Sequence, residues 1–174
     1  MRLLRIKGRT IQKQLTLLLF LITSLASAVR PGDVAPDFTL NDPSGKKVTL
    51  SALRGQPVVL TFWATWCLVC KEELPELNQE AARAKVKNMF AVSATDTPKA
   101  ALDYFKQAKL GAITPLVDAP KAKGPGTGAG VAKSYRIIGQ PVSVFIDSKG
   151  KVTAVHSGYL PPEQFRVYLK QIRP

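Results

Sequence analysis

The sequence predicts an α/β domain, a central mixed β-sheet flanked by helices and opened by an N-terminal β-hairpin. Three observations lead there. Short apolar runs such as Pro57-Val58-Val59-Leu60-Thr61-Phe62-Trp63 have the character of strands buried on both faces. These runs alternate with segments whose apolar residues recur at helical spacing, the pattern of a sheet covered by helices. Two turn-rich tetrapeptides, Asp42-Pro43-Ser44-Gly45 and Asp147-Ser148-Lys149-Gly150, each separate a pair of short β-like segments.

Taken in order, Phe38-Thr39-Leu40 and Lys47-Val48-Thr49-Leu50 form the opening hairpin, and Ser51 to Gly55 a turn. The strand at Pro57–Trp63 follows. A helix comes next, with Leu74, Leu77 and Ala81 on its dry face and Glu72, Glu76 and Lys87 on the wet side. Pro75 falls inside it, removes one backbone donor and predicts a kink. Met89 to Ser93 reads as a strand. Pro98 to Lys109 reads as a helix with proline at its start, and Thr114 to Asp118 as another strand. The stretch from Ala119 to Gly130 has no core-forming residue and predicts a loop. Val131 to Arg136 is a short helix, and the strands Pro141–Ile146 and Lys151–His156 form a late hairpin that makes the sheet mixed. Pro162 to Ile172 closes the chain as a helix.

Residues 1–28 read as a targeting segment. Arg2, Arg5, Lys7, Arg9 and Lys13 form a positive stretch, Leu15 to Ile22 is apolar, and Ala26-Ser27-Ala28 supplies a small-x-small cleavage pattern. The expected product of cleavage has a linker at 29–36 and one domain at 37–174. The alternative is an uncleaved, short membrane anchor, and cleavage is favoured over it because even Leu15–Ala28 falls short of the roughly 20 residues a spanning helix needs. Both readings put the domain outside the cytoplasm, periplasmic or at the outer face of the cell membrane, where disulfides persist. The whole chain carries +13, and five of its cations lie in the leader. The remaining positive charge is scattered, with no Lys/Arg block or basic–aromatic interleaving, so it reads as a soluble basic surface with no nucleic-acid partner.

The chain has two cysteines, standing as Trp66-Cys67-Leu68-Val69-Cys70 between a buried strand and a helix. Cys67 then sits at a helix N-terminus, where unpaired amides and the helix dipole favour a thiolate and lower a thiol pKa from about 8.5 to roughly 3.5–7.5. Cys70, one turn later, is placed to attack a mixed disulfide formed on Cys67. A zinc site wants four ligands, and His156 is the one histidine of the chain. A purely structural disulfide closing so short a loop would constrain the unfolded chain little. No metal or cofactor is expected.

The stretch from Val58 through Trp63-Ala-Thr-Trp-Cys-Leu-Val-Cys-Lys-Glu-Glu-Leu-Pro75 resembles the TlpA/ResA-type branch of the thioredoxin superfamily, within the AhpC-TSA/redoxin group. Ala35-Pro-Asp-Phe-Thr-Leu40 and Asp147–Gly150 carry the resemblance more weakly toward both ends, over about residues 31–172. It implies a thioredoxin-like fold and an extracytoplasmic thiol–disulfide oxidoreductase. Position by position it implies Cys67 as nucleophile, Cys70 as resolving thiol and Glu73 as an active-site carboxyl able to take a proton. Pro141 matches a cis-proline facing the cysteines, with Gln140 before it presenting backbone to a docked peptide. Trp66 lies beside the thiols and Trp63 in the core. Thr61 stands where thioredoxins proper carry a buried aspartate.

The implied partners are protein thiols and disulfides, apocytochrome c among them, with electrons from a membrane thiol donor, and the implied direction is reduction. Leu68-Val69 lacks the family's common second-position proline, which leaves the redox poise open. Two other readings remain: a copper-binding chaperone using the dithiol, and a thiol peroxidase. The peroxidase is weakened by Ala64, which stands where its PxxxTxxC pattern, begun well by Pro57 and Thr61, wants cysteine.

Overall fold

The computed structural model describes residues 28–118 and 130–173; nearly all of the leader and of the 119–130 loop lie outside them. The opening hairpin is present as β1 (Thr39–Asn41) and β2 (Lys47–Thr49), joined by a turn in which Asp42 Oδ1 accepts from the Ser44 and Lys46 amides. It forms its own two-stranded sheet and does not extend the central one. A 3-10 turn at Leu50–Leu53 leads to β3 (Val58–Phe62), and α1 (Leu68–Arg83), β4 (Met89–Ser93), α2 (Pro98–Gln107) and β5 (Thr114–Val117) follow. From residue 131 on come α3 (Val131–Ser134), β6 (Val142–Ile146), β7 (Val152–Ser157) and α4 (Pro162–Ile172).

The central sheet has the order β5-β4-β3-β6-β7. β3 pairs parallel with β4 and antiparallel with β6, so the sheet is mixed, as expected from the late hairpin. Every residue of β3, β4 and β6 is buried, which follows from cover on both faces. Val59 and Trp63 face α1, α2 and α4 through Leu74, Leu77, Phe105 and Phe165. Leu60 and Phe62 face α3 and the N-terminal segment through Tyr135, Phe38 and Ala35.

Several boundaries are shorter than the sequence suggests, and for local reasons. Lys109 and Arg136 adopt left-handed φ of 54° and 52° just beyond α2 and α3, so both helices stop before the polar tail of their segments. Lys87 lies past the end of α1 and not on its wet face. Within residues 29–36, read as a linker, three positions bond to the start of β7 and the turn before it: Gly32 N–H donates to Val152 O, Val152 N–H to Asp33 O, and Ala35 N–H to Gly150 O. Pro75 sits inside α1, where it cannot donate to the Lys71 carbonyl. The Tyr104 hydroxyl donates to that carbonyl instead, at 3.4 Å.

Candidate active site

β3 ends at the sheet's carboxyl edge and a single turn delivers the cysteines to α1. Cys67 N–H donates to Ala64 O at 3.1 Å, which makes Thr65 and Trp66 the centre of that turn. Cys67 is the N-cap of α1, its Sγ accepting from the Cys70 amide at 3.1 Å, and Cys67 and Cys70 are joined in a disulfide with a Cα–Cα distance of 5.3 Å. A sulfur held by a helix N-terminal amide is stabilised when it carries negative charge, which is the state exchange requires. Cys70 is fully buried, whereas Trp66 and Leu68 on either side of Cys67 are 65% and 73% exposed.

The turn is held by the segment that follows β4. Asp96 accepts from the Thr65 amide at 2.9 Å, the Thr65 hydroxyl at 2.5 Å and the Ser93 hydroxyl at 2.7 Å. The Trp66 indole N–H donates to Thr95 Oγ1 at 3.2 Å. Sequence reasoning missed Asp96, because in Ser93-Ala-Thr-Asp-Thr-Pro98 it reads as part of a helix-start cluster. The capping role belongs to Thr97, whose hydroxyl oxygen accepts from the Ala100 amide.

Facing the cysteines, the Gln140–Pro141 peptide is cis and the Gln140 carbonyl oxygen lies 3.8 Å from Cys67 Sγ. Trp63 is buried among Tyr104 and Phe105, its ring centroid 5.2 Å from each. Thr61 is buried on the same face of β3 and accepts from the Ser143 hydroxyl at 3.1 Å. A neutral hydroxyl pair therefore occupies that row of the sheet.

Glu73 follows Cys70 by one turn on the buried stripe of α1 and is 1% exposed. Oε2 accepts from the Leu160 amide at 2.6 Å, and Oε1 is buried with no hydrogen-bond partner among the described residues. Burial pushes its pKa up to about 7; the Leu160 amide works against this and the charge of Glu76 adds to it. Glu76 in turn accepts from the Tyr159 hydroxyl, so residues 159–160 close over this carboxyl pair. The site thus combines a dithiol with a carboxyl group that can hold or give up a proton near neutrality. His156, on β7, has Nε2 2.9 Å from Tyr159 O. Among the described residues no three His, Cys, Asp or Glu side chains cluster to hold a metal ion.

Residues 31–155 match the model of the AhpC/TSA family. The chain belongs to that family. It is 34% identical to the thiol-disulfide oxidoreductase ResA of Bacillus thuringiensis subsp. konkukian over 82% of this chain and 79% of that relative. A thio-disulfide isomerase from Thermus thermophilus has the same fold, with 34% identity, a TM-score of 0.68, and 83% of this chain and 97% of that one covered. The exposed lipoprotein thioredoxin Etrx1 of Streptococcus pneumoniae follows at 27% identity and a TM-score of 0.63, covering 78% and 99%. The domain is thioredoxin-like, and the chain is a thiol–disulfide oxidoreductase with the pair Cys67–Cys70.

Proposed function

We propose that this oxidoreductase works outside the cytoplasm as a reductant of protein disulfides, with Cys67 as nucleophile, Cys70 as resolving thiol and Glu73 as proton acceptor. The observation that carries the reading is the disulfide at the head of α1, with the buried Glu73 carboxyl one turn below it, its Oε1 without a hydrogen-bond partner among the described residues. Starting from the dithiol, Cys67 thiolate attacks one sulfur of a substrate disulfide. A mixed disulfide forms, and the other substrate sulfur leaves as a thiolate and takes up a proton. Cys70 gives its proton toward Glu73 and attacks Cys67 Sγ. The second substrate sulfur leaves as a thiolate and takes up the proton held by Glu73, and the Cys67–Cys70 disulfide seen in the structure is left. Two electrons and two protons have passed to the substrate, and an external dithiol must restore them.

Gln140 and Pro141 dock the substrate backbone and Trp66 covers the exchange. The leader at residues 1–28 supports export and is either cleaved after Ala28 or kept as a short anchor. The Streptococcus pneumoniae relative is named an exposed lipoprotein, which agrees with an extracytoplasmic site. The electron donor in this reading is a membrane thiol carrier, and the substrates are proteins with paired cysteines, of which apocytochrome c is the one the resemblance suggests.

The decisive experiment is Cys70→Ala in cells, with thiols quenched by acid before lysis. Mixed disulfides on Cys67 are expected to accumulate and to vanish on reduction or in Cys67→Ala/Cys70→Ala. Disulfide-reductase activity that survived Cys67→Ala would overturn the assignment.

A further inference from the structure

The positive charge that lies scattered along the sequence is gathered by the fold. β3, β4 and β7 run in one direction, and the helix that follows each of them, α1, α2 and α4, runs back. All three helices therefore end at the edge of the sheet opposite the dithiol. Lys85 and Lys87 lie just beyond α1, Lys109 just beyond α2, Lys170 and Arg173 at the end of α4, and Lys149 in the β6–β7 turn at the same edge. All six are exposed, and among the described residues none is paired with a carboxylate. The acidic groups of this edge are already engaged: Asp33 and Asp147 accept from amides of their own turns, and Glu80 is held by Arg83 and Arg166. Between the ends of α1 and α4 lies a recess of about 320 Å3, rimmed by Lys85, Lys87 and Arg173 and walled by Val86, Leu169 and Ile172, with no carboxylate lining it among the described residues.

We propose that this edge docks on an anionic bilayer surface, with one phospholipid entering the recess, and holds the dithiol turned away from the membrane. The inference takes its setting from the extracytoplasmic reading and needs none of the roles given to Glu73, Gln140 or Pro141. Cations at helix C-termini also answer the helix dipole, but that accounts neither for Lys149 in a hairpin turn nor for an apolar recess inside the basic rim. Two features commit the edge to a bilayer. The cations are spread over three helix ends and a turn, which matches a sheet of many headgroups and not one compact anion. The recess couples a positive rim to apolar walls, the complement of a molecule with an anionic head and a hydrocarbon tail. α1 has 16 residues, about 24 Å of helix, and stands between this edge and Cys67, so the docked domain presents its dithiol well clear of the surface.

The test is flotation with vesicles of phosphatidylcholine, alone or with about one-third phosphatidylglycerol, at about 0.05 M and about 0.5 M NaCl. It uses residues 29–174, the expected product of cleavage, which contain every described strand and helix and lack the basic leader. Binding is expected on the anionic vesicles at low salt, and to fall away at high salt and on phosphatidylcholine alone. Lys85→Glu/Lys87→Glu should weaken it about 10-fold or more. Lys46→Glu/Lys47→Glu makes the same change of net charge on the opening hairpin, which lies beside the start of α2, and should stay within about threefold of the natural protein. No binding to anionic vesicles, or an equal loss in the two pairs, would overturn the docking edge. Reduction of hydroxyethyl disulfide reads orientation and folding together. Both pairs should match the natural rate in solution, and vesicle-bound natural protein should match free protein. A natural protein active in solution but silenced on vesicles would overturn the outward-facing dithiol. If the free natural protein does not reduce it either, the reductase reading falls, while the vesicle binding still stands or falls by itself.

Discussion

Helix α1 buries two glutamates on one stripe, two turns apart, and surrounds them differently. Glu80, toward the C-terminal end, meets Arg83 at 2.8 Å and Arg166 of α4 at 3.2 Å. Glu73, near the dithiol, has among the described residues no cation paired with it, only the Leu160 amide on one oxygen and no hydrogen-bond partner on the other. The first arrangement compensates a charge and ties α1 to α4. The second leaves the ionised form poorly solvated and keeps the proton until about pH 7. Only the carboxyl distant from the cysteines is paired with arginine, a difference that supports the proposed role of Glu73 as the proton acceptor.

The largest effect expected of this difference is on turnover. Glu73→Gln keeps an acceptor for the Leu160 amide but cannot take a proton, so protein-disulfide exchange at pH 7 should fall about 100-fold, at the low end of general acid–base contributions. Glu80→Gln should stay within about twofold of the natural protein. Stopped-flow oxidation of the reduced protein by a peptide disulfide compares the two. Equal losses in both variants would mean that α1 itself, and not the carboxyl at position 73, is what matters.

Stability against pH should separate the same pair. A carboxyl whose folded pKa is raised holds its proton after the unfolded chain has lost it. Folding is therefore most favourable below about pH 4.5 and weakens as pH rises to about 7, where the loss is complete. The shift corresponds to an upper bound of about 3 kcal/mol. Urea unfolding of the oxidised protein between pH 4 and 8 should show this downward slope, and Glu73→Gln should remove it. A slope unchanged by that substitution would place its origin in another group.

Next in size is the cost of removing the paired carboxylate. Glu80→Gln takes the charge from two arginines that are themselves half or more exposed, so water recovers most of their solvation and about 1 kcal/mol of stability should be lost. High salt should shrink the difference, measured by urea unfolding with and without 0.5 M NaCl, a concentration at which the screening length falls to roughly 4 Å. A loss several times larger would show that the pair is isolated from solvent.

The pattern of apolar and turn residues made the sheet and its helices legible, since strands buried on both faces and helical stripes follow from which residues must be dry. The cysteine pair was legible for the same reason, because its spacing falls where a strand gives way to a helix. Glu73 was legible only in part. Its place one turn past Cys70 could be read, but its missing counter-charge depends on Leu160, 87 positions along the chain. Asp96 was not legible at all, for its bonds to Thr65 cross 31 positions. Local patterning reports burial and element type, whereas the solvation of one carboxyl is set by whichever distant segments fold against it.

Between the two glutamates lies Pro75, and the smallest predicted effect tests how α1 spans it. Proline deletes the donor for the Lys71 carbonyl, and a buried carbonyl left without a partner would destabilise the helix just beyond Cys70. Tyr104 supplies a hydroxyl to it, at a long 3.4 Å, while the Tyr104 ring packs against Trp63. Tyr104→Phe keeps the ring and removes only the hydroxyl, so it should cost about 0.5–1 kcal/mol, a single modest hydrogen bond. Because Lys71 directly follows Cys70, the loss should be local. Amide hydrogen exchange is expected to quicken in the first turns of α1 around Pro75 and to stay unchanged near Glu80. Uniform quickening along the whole helix would mean that the proline break is bridged by packing alone and that the two ends of α1 are not independent.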